Sequence, residues 1–569
     1  MGKLKQVAIS EFFLKNKHQL GFGAAPRATL TAVKEAVDNS LDACEDARIL
    51  PNIKVEIKKI RSKNQKIDIL ELTVYDNGPG ISSKNLGAVF GQLLVGSKFH
   101  SNKQQRGQQG IGIAAACMYG LATTATPAEV FSKQKKDKKV TRQVIKMNTK
   151  TNQPQILQNE QTSHPWFEEN ESGTIIKIQM DGKMQKGDRG VEYFLTNTAL
   201  VNPHLSLSFH LPDEEPVILE RTLEELPNLS KSTLPHVHAI ELGTFLDIIN
   251  DEKNQKVKDI ILKSFVRMSD GILRKLPADT KKLLQKKSNP TEAELKRNKD
   301  LKIKSKEIEK IYEDLKEIDV PSPPTNVLSP IGYEGLLCGI QRIGEPEFVE
   351  VVSRKPTICS NSAFQVEVCL AAFSSLEKNE DDLSSVKIHR FANKVPLQFR
   401  FNEDGIVHAI KKVDWKNYGI SQKKGNIPDG PYVFLVSIIG SWLPFSNAAK
   451  EAIEPIDELV EEIKLALQEA GRKLSRHVKA KKKRHDTEKR VQELNKFGPH
   501  VVLGIQDILG LTEAKKKKLD KSLTSLLSKP LEAYEEEVPL SAIERFKQNQ
   551  EKTKKPKKKK AKKRTRKKS

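Results

Sequence analysis

Three short motifs between residues 35 and 112 restrict this chain more tightly than its size or composition does. The first is Glu35-Ala-Val-Asp-Asn39-Ser-Leu-Asp42-Ala. Val33, Val37, Leu41 and Cys44 recur around it at helical spacing and predict a core-facing stripe, which leaves Glu35, Asn39 and Asp42 as a polar stripe on the other side. The second is Tyr75-Asp76-Asn-Gly78-Pro-Gly80, a turn sequence after the apolar run Ile69 to Val74, which reads as a strand. The third is Gly107-Gln108-Gln109-Gly110-Ile111-Gly112, running into the apolar helix-forming stretch Ile113-Ala-Ala-Ala.

Each motif has a bland reading when taken alone. A polar helix stripe is usually a solvated face, Asn-Gly is usually a plain turn, and a lone glycine-rich loop is weak evidence. In this order they describe an ATP pocket. A carboxamide oxygen such as Asn39 suits Mg²⁺, which keeps most of its ligands as water and phosphate oxygens. A carboxylate one turn away, Glu35, can orient and deprotonate the attacking water. A strand-end Asp76 can accept from the exocyclic amine of adenine, and Gly78 and Gly80 let backbone approach a flat ring. The loop from Gly107 to Gly112 can offer successive N–H groups to phosphate ahead of a helix N-terminus. It is neither a P-loop, lacking Gly-Lys-Ser/Thr, nor a dinucleotide fingerprint, as no strand directly precedes it.

These motifs resemble those of the GHKL ATPases, the superfamily of gyrase B, MutL, histidine kinases and one heat-shock chaperone. In detail the wording is similar to the B-subunit family of archaeal DNA topoisomerase VI. The matching phrases are Glu11-Phe-Phe, Lys34 to Cys44, Val89-Phe-Gly-Gln-Leu-Leu, Gly96-Ser97-Lys98-Phe, Arg106 to Ile113, Val201-Asn-Pro-His204, Arg390 to Leu397, Asp414-Trp-Lys-Asn-Tyr-Gly419 and Ala449-Lys450-Glu-Ala-Ile453. The resemblance covers about residues 8–500 and fades beyond.

It implies an α+β multidomain fold whose GHKL ATPase sandwich with an N-terminal strap spans 1–225, a helix-two-turns-helix insert 226–310, and a transducer with a stalk helix 311–498. Beyond the resemblance, the residues themselves suggest a small helical region over 499–550 and a lysine-dense, disordered basic tail over 551–569. The resemblance implies Glu35 as general base and Asn39 as Mg²⁺ ligand, with Asp76 as adenine reader supported by Thr174 through a shared water. Gly80, Ser97 and Lys98 would lie near the nucleotide, and Gly107, Gln108, Gln109, Gly110, Ile111, Gly112 and Ile113 would form a lid on the phosphates. Lys450 would reach from the transducer to the γ-phosphate. The implied activity is that of the ATP-hydrolysing subunit of a type IIB topoisomerase, dimerising on ATP to close a gate on duplex DNA.

The chain contains no Asp-x-Asp, the acidic metal set that usually accompanies the tyrosine nucleophile in DNA cutting; the resemblance implies that cutting happens on a separate A subunit, in an A2B2 heterotetramer. A chaperone or repair-type GHKL clamp is the alternative, but it leaves the Arg390–Leu397 and Trp415-Lys-Asn-Tyr phrases and the helical insert unexplained. A binding module with a decayed pocket is opposed by the intact Glu35, Asn39, Asp76, glycines and Lys450. A histidine kinase needs a phosphoacceptor His before the pocket, where only His18 stands.

Composition agrees. A length of 569 residues suggests about three or four domains. No apolar run is long enough to span a membrane and no secretory signal is read, so a cytoplasmic, nucleoid-associated protein is expected. The five scattered cysteines, with no C-x-x-C, fit reduced thiols. Net charge is +24, of which thirteen Lys and Arg in residues 552–569 supply more than half, leaving +11 for the rest. That tail suits nucleic-acid phosphates, an import signal or plain solubility. The lysines of 226–310 serve phosphate contact or a solvated surface equally well, and Pro321-Ser-Pro-Pro324 marks a linker. From Pro455, expected at the first helical position, Ile456, Leu459, Val460, Ile463, Leu467, Ala470, Leu474 and Val478 predict one long stalk helix toward Lys496. A separate helical appendage is expected from Pro499 to Pro530.

Overall fold

The computed structural model describes residues 15–95, 103–107, 111–373, 386–423, 425–447, 450–522 and 541–546. Eight strands form the first sheet: β1 (Asn52–Asn64), β2 (Ile67–Asp76), β3 (Ala128–Lys133), β4 (Val140–Asn148), β5 (Gln153–Thr162), β6 (Gly173–Gly182), β7 (Ser206–His210) and β8 (Val217–Leu219). Their order is β5-β4-β3-β6-β2-β1-β7-β8, and every pairing is antiparallel except β1 with β7. Ile53, Val55 and Ile57 alternate with Lys54, Glu56 and Lys58, so β1 turns one face to the core.

That face is covered by the helices Ala25–Asp46, Ser83–Gly91, Gly112–Thr124 and Val191–Val201. The expected stripe of Val33, Val37, Leu41 and Cys44 is fully buried. Truncating such a side chain, as in Leu41→Ala, costs about 2–5 kcal/mol. Register brings Asp76, at the end of β2, opposite Thr174 near the start of β6.

A helical unit follows, with helices Leu242–Asp251, Val257–Ser264 and Ser305–Glu317 around Val237, Phe245, Ile260, Phe265, Ile311 and Leu315. The sequence boundary at 310 falls inside the Ser305–Glu317 helix, whose apolar face closes this core. Its Ile308, Ile311 and Leu315 recur at helical spacing but carry no mark of which neighbour they meet.

The second α/β unit is a sheet in the order Thr357–Cys359, Ser362–Ala372, Tyr432–Gly440, Lys387–Ala392, Val395–Pro396, with Phe348–Ser353 also paired to Ser362–Ala372. Helix Gly405–Lys412 and the stalk cover one face. Helix Gly332–Gln341 covers the other and packs against Val191–Val201 of the first unit.

The stalk helix runs Asp457–Leu509, 53 residues, or about 80 Å at 1.5 Å per residue. Leu459, Val460, Ile463, Leu467, Ala470 and Leu474 bury it against the sheet. Two expectations change here. Pro455 lies ahead of the N-cap Ile456 rather than at the first helical position, and Asp457 and Glu458 fill the first turn, where carboxylates suit the helix dipole. The helix also continues through Pro499, so no separate appendage starts there. A proline lacks the N–H for the bond to the carbonyl four residues back, yet the helix persists on both sides. Ala542 is buried against the second unit, and its carbonyl accepts from the Tyr333 hydroxyl at 3.2 Å. The basic tail at 551–569 lies outside the described residues. Among the described residues no helix is long and apolar enough to cross a membrane.

Candidate active site

Ten of the residues singled out from sequence line a single cavity of about 470 Å³: Glu35, Asn39, Asp76, Gly80, Gly107, Ile111, Gly112, Ile113, Thr174 and Lys450. Ser97, Lys98, Gln108, Gln109 and Gly110 lie outside the described residues.

The Ala25–Asp46 helix presents Glu35 and Asn39 one turn apart, as i, i+4 spacing requires. Glu35 sits directly above the start of the Gly112–Thr124 helix. A Cβ at Gly112 would lie 1.7 Å from Glu35 Oε2 and 2.2 Å from its Cδ, so glycine is obligatory there while the carboxylate keeps this position. The first N–H groups of that helix have no intrahelical partner, and anions are favoured beside them. Burial raises the Glu35 carboxyl above its ordinary range, opposed by the Lys34 and Lys450 ammonium groups. Asn39 Oδ1 faces the bare α-carbon of Gly107.

Asp76 ends β2 and is held from three sides. Its Oδ1 accepts from the N–H of Gly78 at 2.9 Å and of Thr174 at 3.1 Å, and its Oδ2 accepts from Ser40 Oγ at 3.0 Å. Burial pushes its carboxyl up to about 6 against the pull of these three bonds. Thr174 meets Asp76 through its backbone, while its hydroxyl lies 3.4 Å from Ser132 Oγ. Gly80 has φ +70°, and a Cβ there would stand 2.1 Å from the Lys133 carbonyl oxygen. The turn thus lies flat against β3. Ser40 is the residue that sequence reasoning passed over, although it sits inside the Glu35 motif one position after Asn39.

Lys450 enters from the second unit. It has φ +53°, lies outside any helix, and its Nζ donates to the Arg106 carbonyl at 3.1 Å. Burial lowers its pKa and Glu35 opposes the shift. The next residue, Glu451, pairs with Arg27 on the first unit and accepts from Asn447 Nδ2 at 2.6 Å. Arg106, which opens the glycine loop, is buried and donates to Asp42 at 2.8 Å, to Glu45 at 2.7 Å and to Asn202 Oδ1 at 2.5 Å. Glu45 also meets His204 at 2.8 Å. Burial alone would raise the Glu45 carboxyl, but Arg106, Lys394 and His204 together hold it well below the usual range. Asp42, read from sequence as part of the polar stripe, is therefore an anchor for the loop.

A carboxylate above a phosphate-suited helix start, a buried carboxylate at Asp76 lining the same cavity and a cation from another unit together suit hydrolysis of a nucleoside triphosphate. Comparison with known proteins agrees. Residues 28–174 match the family of histidine kinase-, DNA gyrase B- and HSP90-like ATPases, and residues 323–490 match the topoisomerase VI B subunit transducer. The chain is 36% identical over 494 residues to the B subunit of type 2 DNA topoisomerase 6 from Methanococcoides burtonii, covering 85% of this chain and 75% of that one. Against its counterpart from Archaeoglobus fulgidus identity is 34% over 513 residues, with 89% and 80% covered. Against that of Pyrococcus horikoshii it is 31% over 572 residues, with 94% and 97% covered.

Proposed function

Because this chain belongs to the topoisomerase VI B-subunit family, and so is the ATP-hydrolysing subunit of a type II DNA topoisomerase, we propose that ATP bound between Asp76, the Gly107–Ile113 loop and Lys450 closes a two-fold gate on duplex DNA. The observation that carries this reading is the contact of Glu35 with the bare α-carbon of Gly112. It supports the reading because it holds the carboxylate beside the helix start, within reach of a water that would attack a phosphate bound there.

Glu35 accepts the proton of that water, and its raised pKa brings it nearer working pH, as a general base requires. Asp76 accepts from the adenine amine. The Asn39 carboxamide is a hard oxygen donor without a hydrogen-bond partner among the described residues, which fits it to hold Mg²⁺; bound there, the ion neutralises phosphate charge. Lys450 exchanges the Arg106 carbonyl for the γ-phosphate, so the angle of its own unit comes to depend on whether that phosphate is present. Leu20 and Phe22, at the end of the strap read at Ile9–Phe22, line the same cavity and so would meet the bound nucleotide; residues 9–14 of that strap lie outside the described residues. DNA cleavage belongs to an A subunit in an A2B2 assembly that acts on the DNA of the cytoplasmic nucleoid.

Sedimentation of the full chain with a non-hydrolysable ATP analogue tests the gate, and a two-fold dimer is the expected species. Mixing with a tyrosine-bearing A subunit is expected to give ATP-dependent relaxation of supercoiled DNA. A monomer at saturating analogue sinks the gate.

A further inference from the structure

Lys450 and Glu451 are neighbours in a tight loop of the transducer, and their side chains meet the ATPase unit at different places. The base of the loop is fixed to its own unit. Phe445 and Ile453 form an antiparallel bridge, the Ile453 N–H donates to Asp404 Oδ2 at 3.3 Å, and the Ile453 carbonyl accepts from the Gly405 N–H at 2.9 Å. Asp404 is buried and paired with Arg390 at 2.8 Å. Nearer the tip, the Lys450 N–H donates to the Asn447 carbonyl at 3.1 Å. The Asn447 carboxamide meets Glu451 twice: its Oδ1 accepts from the Glu451 N–H at 3.1 Å, and its Nδ2 donates to Glu451 Oε2 at 2.6 Å. These bonds hold the Lys450 backbone at φ +53°, a region that residues with a side chain seldom adopt.

The loop's own bonds leave open where its tip stands against the helix that carries Glu35 and Asn39. The Glu451 carboxylate supplies that link. It is buried; its Oε1 accepts from Arg27 Nη2, and Arg400 Nε lies 3.4 Å from its Oε2. Arg27 lies on the Ala25–Asp46 helix about two turns before Glu35, and its guanidinium stands 5.3 Å from the ring centroid of Phe399 on the transducer. Arg27, Phe399, Lys450 and Glu451 line the same cavity as Glu35 and Asn39.

We propose that Arg27 and Glu451 are positioning residues for Lys450: their ion pair seats the loop tip against the Glu35 helix and so keeps the Lys450 ammonium at the phosphate end of the cavity. This rests on the nucleotide reading given above.

Two physical effects act together. The Lys450 ammonium reaches the Arg106 carbonyl from the end of a flexible four-carbon stem, which does not fix the backbone behind it. A charge-assisted bond from a guanidinium to the next residue's carboxylate does, because Arg27 on one oxygen and Asn447 on the other leave that carboxylate one orientation. The second effect is charge. An unpaired Glu451 carboxylate at the cavity wall would repel a triphosphate and draw the Lys450 ammonium away from it; with two guanidinium groups beside it, it does neither. Arg27 is 36% exposed, so the pair adds little stability of its own, and its consequence is where it puts Lys450.

Titration calorimetry of the full chain with a non-hydrolysable ATP analogue and with ADP reads this as the ratio of two dissociation constants. Arg27→Ala removes the guanidinium, and Glu451→Gln keeps an oxygen for Asn447 while losing the charge. In each, the preference for the triphosphate analogue is expected to fall at least about fivefold with ADP affinity within about twofold of wild type, a split that general damage to the fold does not produce. Added to Lys450→Ala, the Arg27→Ala change is expected to move the ratio no further. Losses that multiply in that double variant overturn the positioning role and make Arg27 a phosphate contact in its own right. Wild-type preference in both single variants, or equal losses for ADP and analogue in both, overturns it as well. A Lys450→Ala variant that prefers the analogue as strongly as the wild type does removes the lysine's role and leaves the nucleotide site standing. A wild type that binds neither ligand removes the nucleotide reading with it.

Discussion

Adding one methyl group at Gly112 separates the position of the Glu35 carboxylate from its chemistry. The new Cβ in Gly112→Ala stands 1.7 Å from Oε2, and carbon atoms essentially never approach closer than 3.0 Å, so the carboxylate must recede by at least 1.3 Å. The atoms that yield are the end of a flexible side chain, so the strain is small. Alanine in place of glycine in a helix favours folding by up to about 1 kcal/mol, and the net change in stability is near zero. A misplacement of about 1 Å at the reacting centre costs on the order of 10²-fold in rate, about 2.7 kcal/mol of barrier. Steady-state hydrolysis is therefore expected to show kcat lowered on the order of 10²-fold with analogue binding within about threefold of wild type. Glu35→Ala removes Oε2, Cδ and Cγ, the atoms the methyl displaces, and should itself retain binding and lose turnover. The double variant is then expected to be scarcely slower than Glu35→Ala, a non-additivity that marks two residues acting through one contact. Wild-type turnover in Gly112→Ala, or losses that simply multiply, would refute the placement of Glu35 as base.

Three other outcomes follow from the same geometry. Lys450→Ala is expected to leave ADP affinity nearly unchanged, since ADP lacks the γ-phosphate, while slowing hydrolysis and uncoupling it from strand passage; wild-type relaxation rates would make it an ordinary lysine. Asp76 has its folded pKa raised from 3.8 to about 6, so adenine affinity, measured by titration calorimetry, is expected to hold above pH 7 and fall about tenfold per unit below 6. The stability sign is opposite: the favourable protonated form is lost as pH rises through 6, so Asp76→Asn is expected to stabilise the nucleotide-free chain above that pH by up to about 3 kcal/mol in urea unfolding. Arg106→Ala strands the Asp42 and Glu45 carboxylates, an expected loss of about 3–5 kcal/mol, and a loss under about 1 kcal/mol would mean that water reaches them.

Much of the lining of the cavity was readable from residues 35–112 because the pattern is local. Glu35 and Asn39 share a helix face by spacing alone, Asp76 follows directly on its strand, and glycines betray where backbone must approach something. Sequence spacing also yielded the buried stripe at Val33 to Cys44 and the apolar face of the stalk. It misjudged Pro455 and Pro499, since packing of Leu459 to Leu474 on a sheet outweighs a terminal proline preference and the stalk tolerates one missing hydrogen bond. It also split the Ser305–Glu317 helix, because periodicity shows that a face is apolar and not what the face will meet. The Glu35–Gly112 approach, the arrival of Lys450 beside a loop 344 residues earlier and the pairing of Gln104 with Ser329 joined no neighbours in the chain. The first exists because two helices lie side by side on one sheet, the other two because the two α/β units pack through the Val191–Val201 and Gly332–Gln341 helices. A contact of that kind depends on the relative position of whole units, set by many weak burial terms at once, and no single residue carries its signature.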